Sequence, residues 1–476
     1  MFKSAPFSNP MFVTRSLKAR GVLRLGVAAL AMGLLVGCGA PELRVPQRDT
    51  TRAPSILLDL PPMKLFSSLR PATTTRSNTS IARDFMALSF QLENGTELSQ
   101  FTRFDGPITL RVTGTAIPAS LGPDLELLIS RLRREAGIDI TRVGPNVDAN
   151  ITIETLPHAD LRQRIPNAAC IVAPNISSWA SYRHAGRADL SWTNVTQREK
   201  LSIFIPNDEA PQEIRDCLHE ELAQALGPLN DLYSLTDSVY NDDNIHSILT
   251  EFDMLILRAT YDPALRNGMS RTQVAQRLPA ILSKINPAGN RVSTPPFTPT
   301  PRAWINDVEA AMGAQPSLDA RRAAAARAVN YALSQGWNDS RTGFSLFLLG
   351  RLSVGANRGL AKAALSDAYA IYTARSDTTY HAAHVALQLS AIALLDYNFD
   401  EALRLTNTAI PIARTAGNAT LLASLMMTKA EALTALGRAS EARLVRLDSL
   451  GWARYGFGTD EQVLARSSEI ASLARR

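Results

Sequence analysis

The residues best suited to catalysis or metal binding lie in one stretch near the middle of the chain. Residues 217–231 read CLHEELAQALGPLND and offer two carboxylates, Glu220 and Glu221, and two amides, Gln224 and Asn230. A spacing of four places Glu220 and Gln224 on one face of a helix. The glycine-proline pair that follows predicts the end of this helix, so the chain is expected to turn and bring Asn230 back toward that face. Such a group would hold either a metal ion or a buried hydrogen-bond network.

Two registers of a zinc-protease motif can be compared with this stretch. Starting at His219, the motif His-Glu-x-x-His fails because Ala223 stands where the second metal-binding histidine is needed. Read from Glu220, the stretch resembles the metzincin signature His-Glu-x-x-His-x-x-Gly-x-x-His-Asp. The residues that agree with this signature are Glu221, Gly227 and Asp231. The residues that replace its three metal-binding histidines are Glu220, Gln224 and Asn230.

The resemblance to metzincins continues downstream of this helix. Tyr240, within residues 238–241, takes the place of the methionine in the metzincin Met-turn. Residues 249–261 resemble the C-terminal helix of those proteases. The resemblance implies an α+β zincin-like domain over residues 78–290, with Glu221 in the position of the general base.

The replaced ligands argue against a zinc enzyme. Catalytic zinc is held by three protein ligands, mostly imidazole, thiolate or carboxylate groups, and neutral amide oxygens bind it poorly. A general base without metal-activated water supplies only part of the reduction in the barrier. We therefore expect no metal or other cofactor, and a pseudoenzyme whose polar residues form a structural network.

Two alternatives to the pseudoenzyme remain open. One is a site that binds a metal without proteolysis. The other is an atypical envelope metallopeptidase that uses zinc, Glu221 as its base, and His219 or His246 as a recruited ligand. Otherwise these two histidines are expected to be ordinary helix-flank or surface residues. His381 and His384, three residues apart, are expected on an exposed helix face rather than at a metal.

The N-terminus has the features of a bacterial export signal. The residues before position 25 include five basic residues and no acidic one, and about a dozen apolar residues follow, fewer than the ~20 that span a bilayer. The apolar run ends in Leu-Val-Gly-Cys, which resembles the bacterial lipobox. The resemblance implies that residues 1–37 are a lipoprotein signal peptide and that Cys38 is lipidated. Gly39 after the cysteine favours the outer over the inner membrane, with the body of the protein facing the periplasm.

The charge of the mature chain gives no reason to expect a nucleic-acid partner. The formal net charge of +6 falls to +1 when residues 1–37 are removed, because all five charges in that segment are positive. A nearly neutral chain lacks the basic surface that phosphate backbones require. Cys170 and Cys217 are then left as a candidate disulfide in an oxidising compartment, the alternative being two buried thiols.

Composition and periodicity divide the mature chain into four parts. Residues 38–77 carry the lipidated cysteine and are rich in Pro, Arg, Thr and Ser, which predicts a flexible tether. Residues 78–290 alternate short apolar runs with helical patterns, and residues 291–302 form a Pro-rich linker. The strands are expected at 108–112, 151–153, 170–173, 188–192 and 201–205, and the helices at 81–92, 121–136 and 212–226.

Residues 303–476 are predicted to be all-helical. Ala402 and Ala442 lie 40 residues apart in similar surroundings, which resembles a tetratricopeptide repeat with a long period. The alternative is a helical bundle without a repeat. Stacked helical pairs usually present a groove for a peptide or protein, so a protein partner is expected here.

The region after the tether also resembles the bacterial family named domain of unknown function 2927. Members of that family look like envelope lipoproteins of no known activity. The resemblance therefore implies a domain and a location but no reaction. The function expected from the sequence is a protein-binding scaffold or adaptor of the cell envelope, attached to the membrane by its lipid. The segments that carry this resemblance are residues 77–85, 102–108, 221–231, 261–263 and 268–269.

Overall fold

The computed structural model describes residues 60–67, 74–166, 168–313 and 316–474. The predicted signal peptide and Cys38 lie outside the described residues. The described chain forms an α/β domain followed by an all-helical region, as predicted. None of the described helices is long and apolar enough to cross a membrane.

The α/β domain is built on a mixed five-stranded sheet. Its strand order is β2-β1-β3-β5-β4, with β4 antiparallel to β5 at one edge and the other neighbours parallel. Every residue of β5 is buried, as expected for a strand covered on both faces. The strands are β1 (Ile108–Gly114), β2 (Ile140–Arg142), β3 (Ile151–Leu156), β4 (Ile171–Pro174) and β5 (Leu201–Pro206).

Helices cover this sheet and follow it in the chain. The longest, α5, begins at a proline and ends before Gly227, where the sequence predicted. Ser77 caps α1 through the backbone N–H of Ser80, at 3.1 Å. The helices are α1 (Asn78–Ser89), α2 (Leu121–Arg131, continued by a π-helical turn Leu132–Ala136), α3 (His158–Arg164), α4 (Trp179–His184), α5 (Pro211–Leu226), α6 (Glu251–Thr260) and α7 (Arg271–Ile285).

Two predictions about strands were wrong. Residues 188–192 are a turn leading into a 3-10 helix at Trp192–Asn194, not a strand. Trp192 is buried beneath the guanidinium of Arg198, so its burial reflects a tertiary contact and not a place in the sheet. The three-residue strand β2 was missed because it is too short to show an alternating pattern.

The C-terminal region consists of consecutive helices that pack on their neighbours in the chain. Ala402 and Ala442, the alanines of the weak 40-residue period, are both buried where α13 and α15 pack on their neighbours. Most residues of α12 and α14 are buried, so these helices are covered on more than one side. The helices are α8 (Arg302–Met312), α9 (Leu318–Ser334), α10 (Ser340–Ser353), α11 (Arg358–Thr373), α12 (Thr379–Leu395), α13 (Phe399–Thr415), α14 (Ala419–Ala435), α15 (Ala439–Phe457) and α16 (Asp460–Leu473).

The α/β domain packs directly against this helical region. Buried Arg215 on α5 donates to the carbonyl oxygen of Gly417 at 2.7 Å. Tyr455 on α15 donates from its hydroxyl to the carboxylate of Asp124 at 2.8 Å, and both groups are buried. These bonds satisfy polar groups that would otherwise be buried without partners, so they join the two parts into one packed unit.

Residues 61–67, within the predicted tether, lie against α15 and are called the strap below. The backbone N–H of Lys64 donates to the carbonyl oxygen of Gly451 at 3.0 Å. The Phe66 ring lies 4.6 Å from that of Trp452, centroid to centroid. This part of the predicted tether is therefore held on the body of the protein.

Candidate functional site

Helix α5 carries the candidate residues, and Arg198 fixes its C-terminal end. The guanidinium of Arg198, which is buried, donates to the carbonyl oxygens of Gln224 at 2.6 Å and Ala225 at 2.8 Å, and also to that of Gly227. A cation is favourable there because the helix dipole leaves unpaired carbonyls at this end. Burial nevertheless lowers the pKa of Arg198 to about 10, which leaves it charged at neutral pH.

A small cavity opens beside the middle of α5. Its volume is about 50 Å³, enough for a few water molecules or a small ion. Four carboxylates of α5 contribute to its wall, together with an imidazole and the Cys170–Cys217 disulfide. The lining residues are Ala169, Cys170, Glu213, Asp216, Cys217, Glu220, Glu221, Val239, Asn244, His246 and Ser247.

Two of these carboxylates have raised pKa values. Burial, reinforced by the nearby carboxylates of Glu209 and Asp216, raises the pKa of Glu213 to about 8. Burial also raises the pKa of Asp216 to about 6, although Arg215 donates to it at 3.2 Å and opposes the shift. At neutral pH Glu213 is therefore mostly protonated while Asp216 is mostly ionised, and such a pair can donate and accept protons.

The three positions that replace the metzincin histidines are used in different ways. Glu220 lines the cavity. Gln224 is buried, and its side-chain nitrogen has no hydrogen-bond partner within the described chain. Asn230 donates from its side-chain nitrogen to the carbonyl oxygen of Ala87 in α1, at 3.1 Å.

This arrangement does not fit a zinc ion. The side-chain nitrogen of Asn230 donates to α1, and neither Gln224 nor Asn230 is among the residues lining the cavity where Glu220 lies. Within the described ranges, no group of three or more His, Cys, Asp or Glu side chains is placed to hold a metal. The donor chemistry agrees, since one carboxylate and two amides make a weak zinc set.

The residues that match the metzincin signature are all buried or packed. Glu221 is 3 % exposed and forms part of the cavity wall. A Cβ atom on Gly227 would come within 3.1 Å of the Thr260 side chain, so glycine permits close packing against α6. Asp231 is buried near Tyr240, whose pKa is raised well above its usual range by burial and by nearby carboxylates. Tyr240 therefore stays neutral and packs in the core at the predicted Met-turn position.

Asp253, which the sequence had not indicated as a site residue, organises this turn. Its carboxylate is fully buried and accepts hydrogen bonds from the hydroxyl of Ser238 and the backbone N–H groups of Val239 and Thr250. Thr250 and Asp253 also form a capping box at the start of α6. The Thr-x-x-Asp spacing was the available signal, although it predicts only the cap and not the distant partners.

The expectations for the histidines were wrong. His219 is buried, accepts from the backbone N–H of Leu249 at 3.1 Å, and has its pKa lowered well below the usual range by burial. His381 is not on an exposed face, since it is 1 % exposed and lies 3.0 Å from the carboxylate of Asp243. His384 is partly buried on the same helix.

His381 and His384 meet His246 where the α/β domain contacts α12. The ring centroids of His246 and His381 are 5.8 Å apart. Nε2 of His246 lies 2.9 Å from the carbonyl oxygen of Thr236 and donates to it, because a carbonyl oxygen can only accept. Tyr380 stacks edge-on against both His246 and His384. These three histidines are called the interface histidines below.

Cys170 and Cys217 are disulfide-bonded, the pairing that the sequence favoured. The bond links α5 to the residue just before β4. It therefore ties the helix that carries the candidate residues to the antiparallel edge of the sheet.

Comparison with known proteins gives a family for this domain but no activity. Residues 78–280 match the model of a family described as protein of unknown function (DUF2927), which confirms the resemblance of this region to domain of unknown function 2927. No curated protein matches the chain. The site must therefore be interpreted from its own geometry.

Proposed function

We propose that the chain is a lipid-anchored protein of the cell envelope that acts as a protein-binding scaffold. Its α/β domain is a metzincin-like domain that has lost its metal site. The separation of Gln224 and Asn230 from the cavity that Glu220 lines carries the pseudoenzyme part of this proposal. The Asn230 side chain instead bonds α1 through its nitrogen, which stabilises the fold.

The strand arrangement supports the zincin-like part of the proposal. Four mutually parallel strands and one antiparallel edge strand precede α5, and the edge strand β4 lies two places from β3 across β5. The stretch with the metzincin-like signature begins in α5 and ends beyond its C-terminus, as that resemblance implies. The buried turn around Tyr240 then leads to α6, in place of the C-terminal helix.

The helical region offers a groove that suits a scaffold. It has a volume of about 560 Å³ and lies between α14, α15 and α16. Small side chains line much of it, which permits close approach by another backbone, and Arg446 pairs with Glu431 at 2.8 Å in its wall. The lining residues are Glu431, Thr434, Ala435, Arg446, Leu464, Ser467, Ser468, Ala471 and Ala474.

A photo-crosslinking amino acid at Ser468 tests the scaffold proposal in cells. Ser468 is exposed and lines the groove, and Leu333 on α9 is an exposed control position of the same region. We expect a discrete crosslinked partner from position 468 and none of that partner from position 333. The partner, identified by mass spectrometry and purified, should bind at least ten times more weakly to a Ser468→Arg variant.

The Glu221→Gln variant separates the scaffold from an enzyme. A scaffold should bind its partner equally well with Glu221→Gln, whereas a peptidase should lose its activity and keep its fold. Equal binding by wild type and Ser468→Arg would refute the groove as the binding surface.

A second candidate, an atypical envelope metallopeptidase, is favoured by one observation. The cavity is lined both by Glu213, whose pKa is raised to about 8, and by Glu221, which stands at the general-base position of the metzincin-like signature. Metal analysis of the purified chain tests it. Stoichiometric zinc that is lost in a Glu220→Ala variant would overturn the pseudoenzyme, and metal-free folded protein would remove this candidate.

A further inference from the structure

Helix α15 has an apolar stripe that is only half covered. Leu444 and Leu447 are 70 % and 57 % exposed, the first being the most exposed large apolar residue of the described chain. Leu447 lies three residues after Leu444 and four before Gly451, a spacing that places all three on one face of the helix. The covered and uncovered halves of this stripe are therefore continuous.

The strap covers the second half of the stripe. It binds α15 through the Lys64 N–H bond to Gly451 and through the packing of Phe66 on Trp452. Its own Met63 and Leu65 remain 36 % and 48 % exposed. The strap thus adds apolar surface to the uncovered half and does not shield it.

The charges around this surface leave it positive. Asp448, the acidic residue of the stripe, pairs with both Lys64 and Arg414. Arg443 is exposed directly beside Leu444. Glu441, one turn before Leu444, pairs with Arg438. Two carboxylates against four cations, next to exposed leucines, are complementary to an anionic lipid surface.

The connection to the N-terminus points the same way. Cys38 precedes Pro61 of the strap by 23 residues, a distance of at most roughly 80 Å when fully extended. A chain attached at Cys38 would therefore reach the body first at the strap, which lies against α15.

We propose that Leu444, Leu447 and Arg443 of α15, together with the strap, form a surface that docks onto anionic lipid headgroups. This inference rests on the proposed lipid anchor, which brings the surface to the membrane. Docking fixes the orientation of the body, so that the cavity in the α/β domain and the groove beside α16 keep a constant position relative to the bilayer. Transfer of one exposed leucine to a lipid interface favours the docked state by roughly ten-fold.

The test uses the mature, full-length chain in vesicles of phosphatidylglycerol and phosphatidylethanolamine. Single variants Leu444→Cys and Leu333→Cys carry the same fluorophore, and Leu333, at 59 % exposed on α9, is the matched control. Lipids with nitroxide headgroups quench a fluorophore that touches the bilayer. We expect quenching at position 444 to exceed that at 333 several-fold, and to fall in phosphatidylcholine vesicles and in Arg443→Gln.

Equal quenching at positions 444 and 333 would overturn the proposal. The proposal would also fail if solvent shielding of the fluorophore at position 444 rose with protein concentration and not with lipid. The stripe would then be a contact between copies of the chain. Intact-mass measurement of the mature protein reports the acyl group separately. If no acyl group is found, the proposed anchor fails, and the same probes on protein mixed with vesicles still decide whether α15 docks.

Discussion

Acid should weaken the structure through the interface histidines. Burial, followed by the neighbouring His381, lowers the pKa of His246 to about 4 and that of His384 to about 3, from 6.5 in an unfolded chain. The groups that face them are Asp243, Arg351, Tyr372 and Tyr380. A depressed histidine pKa means that the unfolded state binds the proton first, so stability is present above pH 6.5 and is lost as the pH falls.

The expected loss follows from these values. Each pKa unit corresponds to about 1.4 kcal/mol. At pH 5 both histidines are still neutral in the folded chain but mostly protonated when it unfolds, which costs about 2 kcal/mol each, or about 4 kcal/mol together. The carboxyl groups of Glu213, Asp216 and Asp253 act in the opposite direction, because burial raises their pKa values to about 8, 6 and 6.

The histidine contribution must therefore be measured as a difference between variants. His246→Gln with His384→Gln removes both titrating groups and keeps polar side chains of similar length. Urea unfolding at pH 7.5 and pH 5.0 should show wild type losing about 4 kcal/mol relative to this double variant. Hydrogen exchange should place the acid-induced opening in residues 231–250 and α12. Parallel pH dependence in wild type and variant would refute the reasoning.

Three further changes test the packing that positions the site. Arg198→Met leaves three carbonyl groups at the end of α5 without a donor and should lower the free energy of unfolding by about 3 kcal/mol. In the same urea titrations, the control variant Arg187→Met, at an exposed position, should change this free energy little. Asp253→Ala removes the acceptor of the Ser238 hydroxyl and of the Val239 and Thr250 backbone N–H groups, and should cost about 3 kcal/mol, with faster hydrogen exchange at residues 237–250. Unchanged exchange there would contradict this role. Phe66→Ala removes the ring of the strap that packs on Trp452, and should lower the free energy of unfolding by about 1–2 kcal/mol. It should also make residues 61–67 more sensitive to protease. Equal cleavage rates in variant and wild type would show that this contact does not hold the strap.

The main elements of the α/β domain were accessible from local patterns. Apolar alternation and a glycine-proline stop gave β1, β3, β5 and both ends of α5 to within a few residues. These signals are local, because a strand with a buried face and the end of a helix each require particular residue types within a few positions of one another. The strand predicted at residues 188–192 does not form, because Trp192 is buried by its contact with Arg198 and not by hydrogen bonding to another strand.

The sequence by itself determined most of the elements, the all-helical nature of the C-terminal region and the absence of histidine at positions 220, 224 and 230. Only the tertiary structure decided what the replacement residues do: Asn230 holds α1, and Glu220 lines a cavity. It also decided that His381, expected at the surface, is buried against Asp243, which is 138 residues away in the chain. Contacts of this kind depend on how whole elements pack, so a local sequence pattern does not identify the distant residues that will contact it.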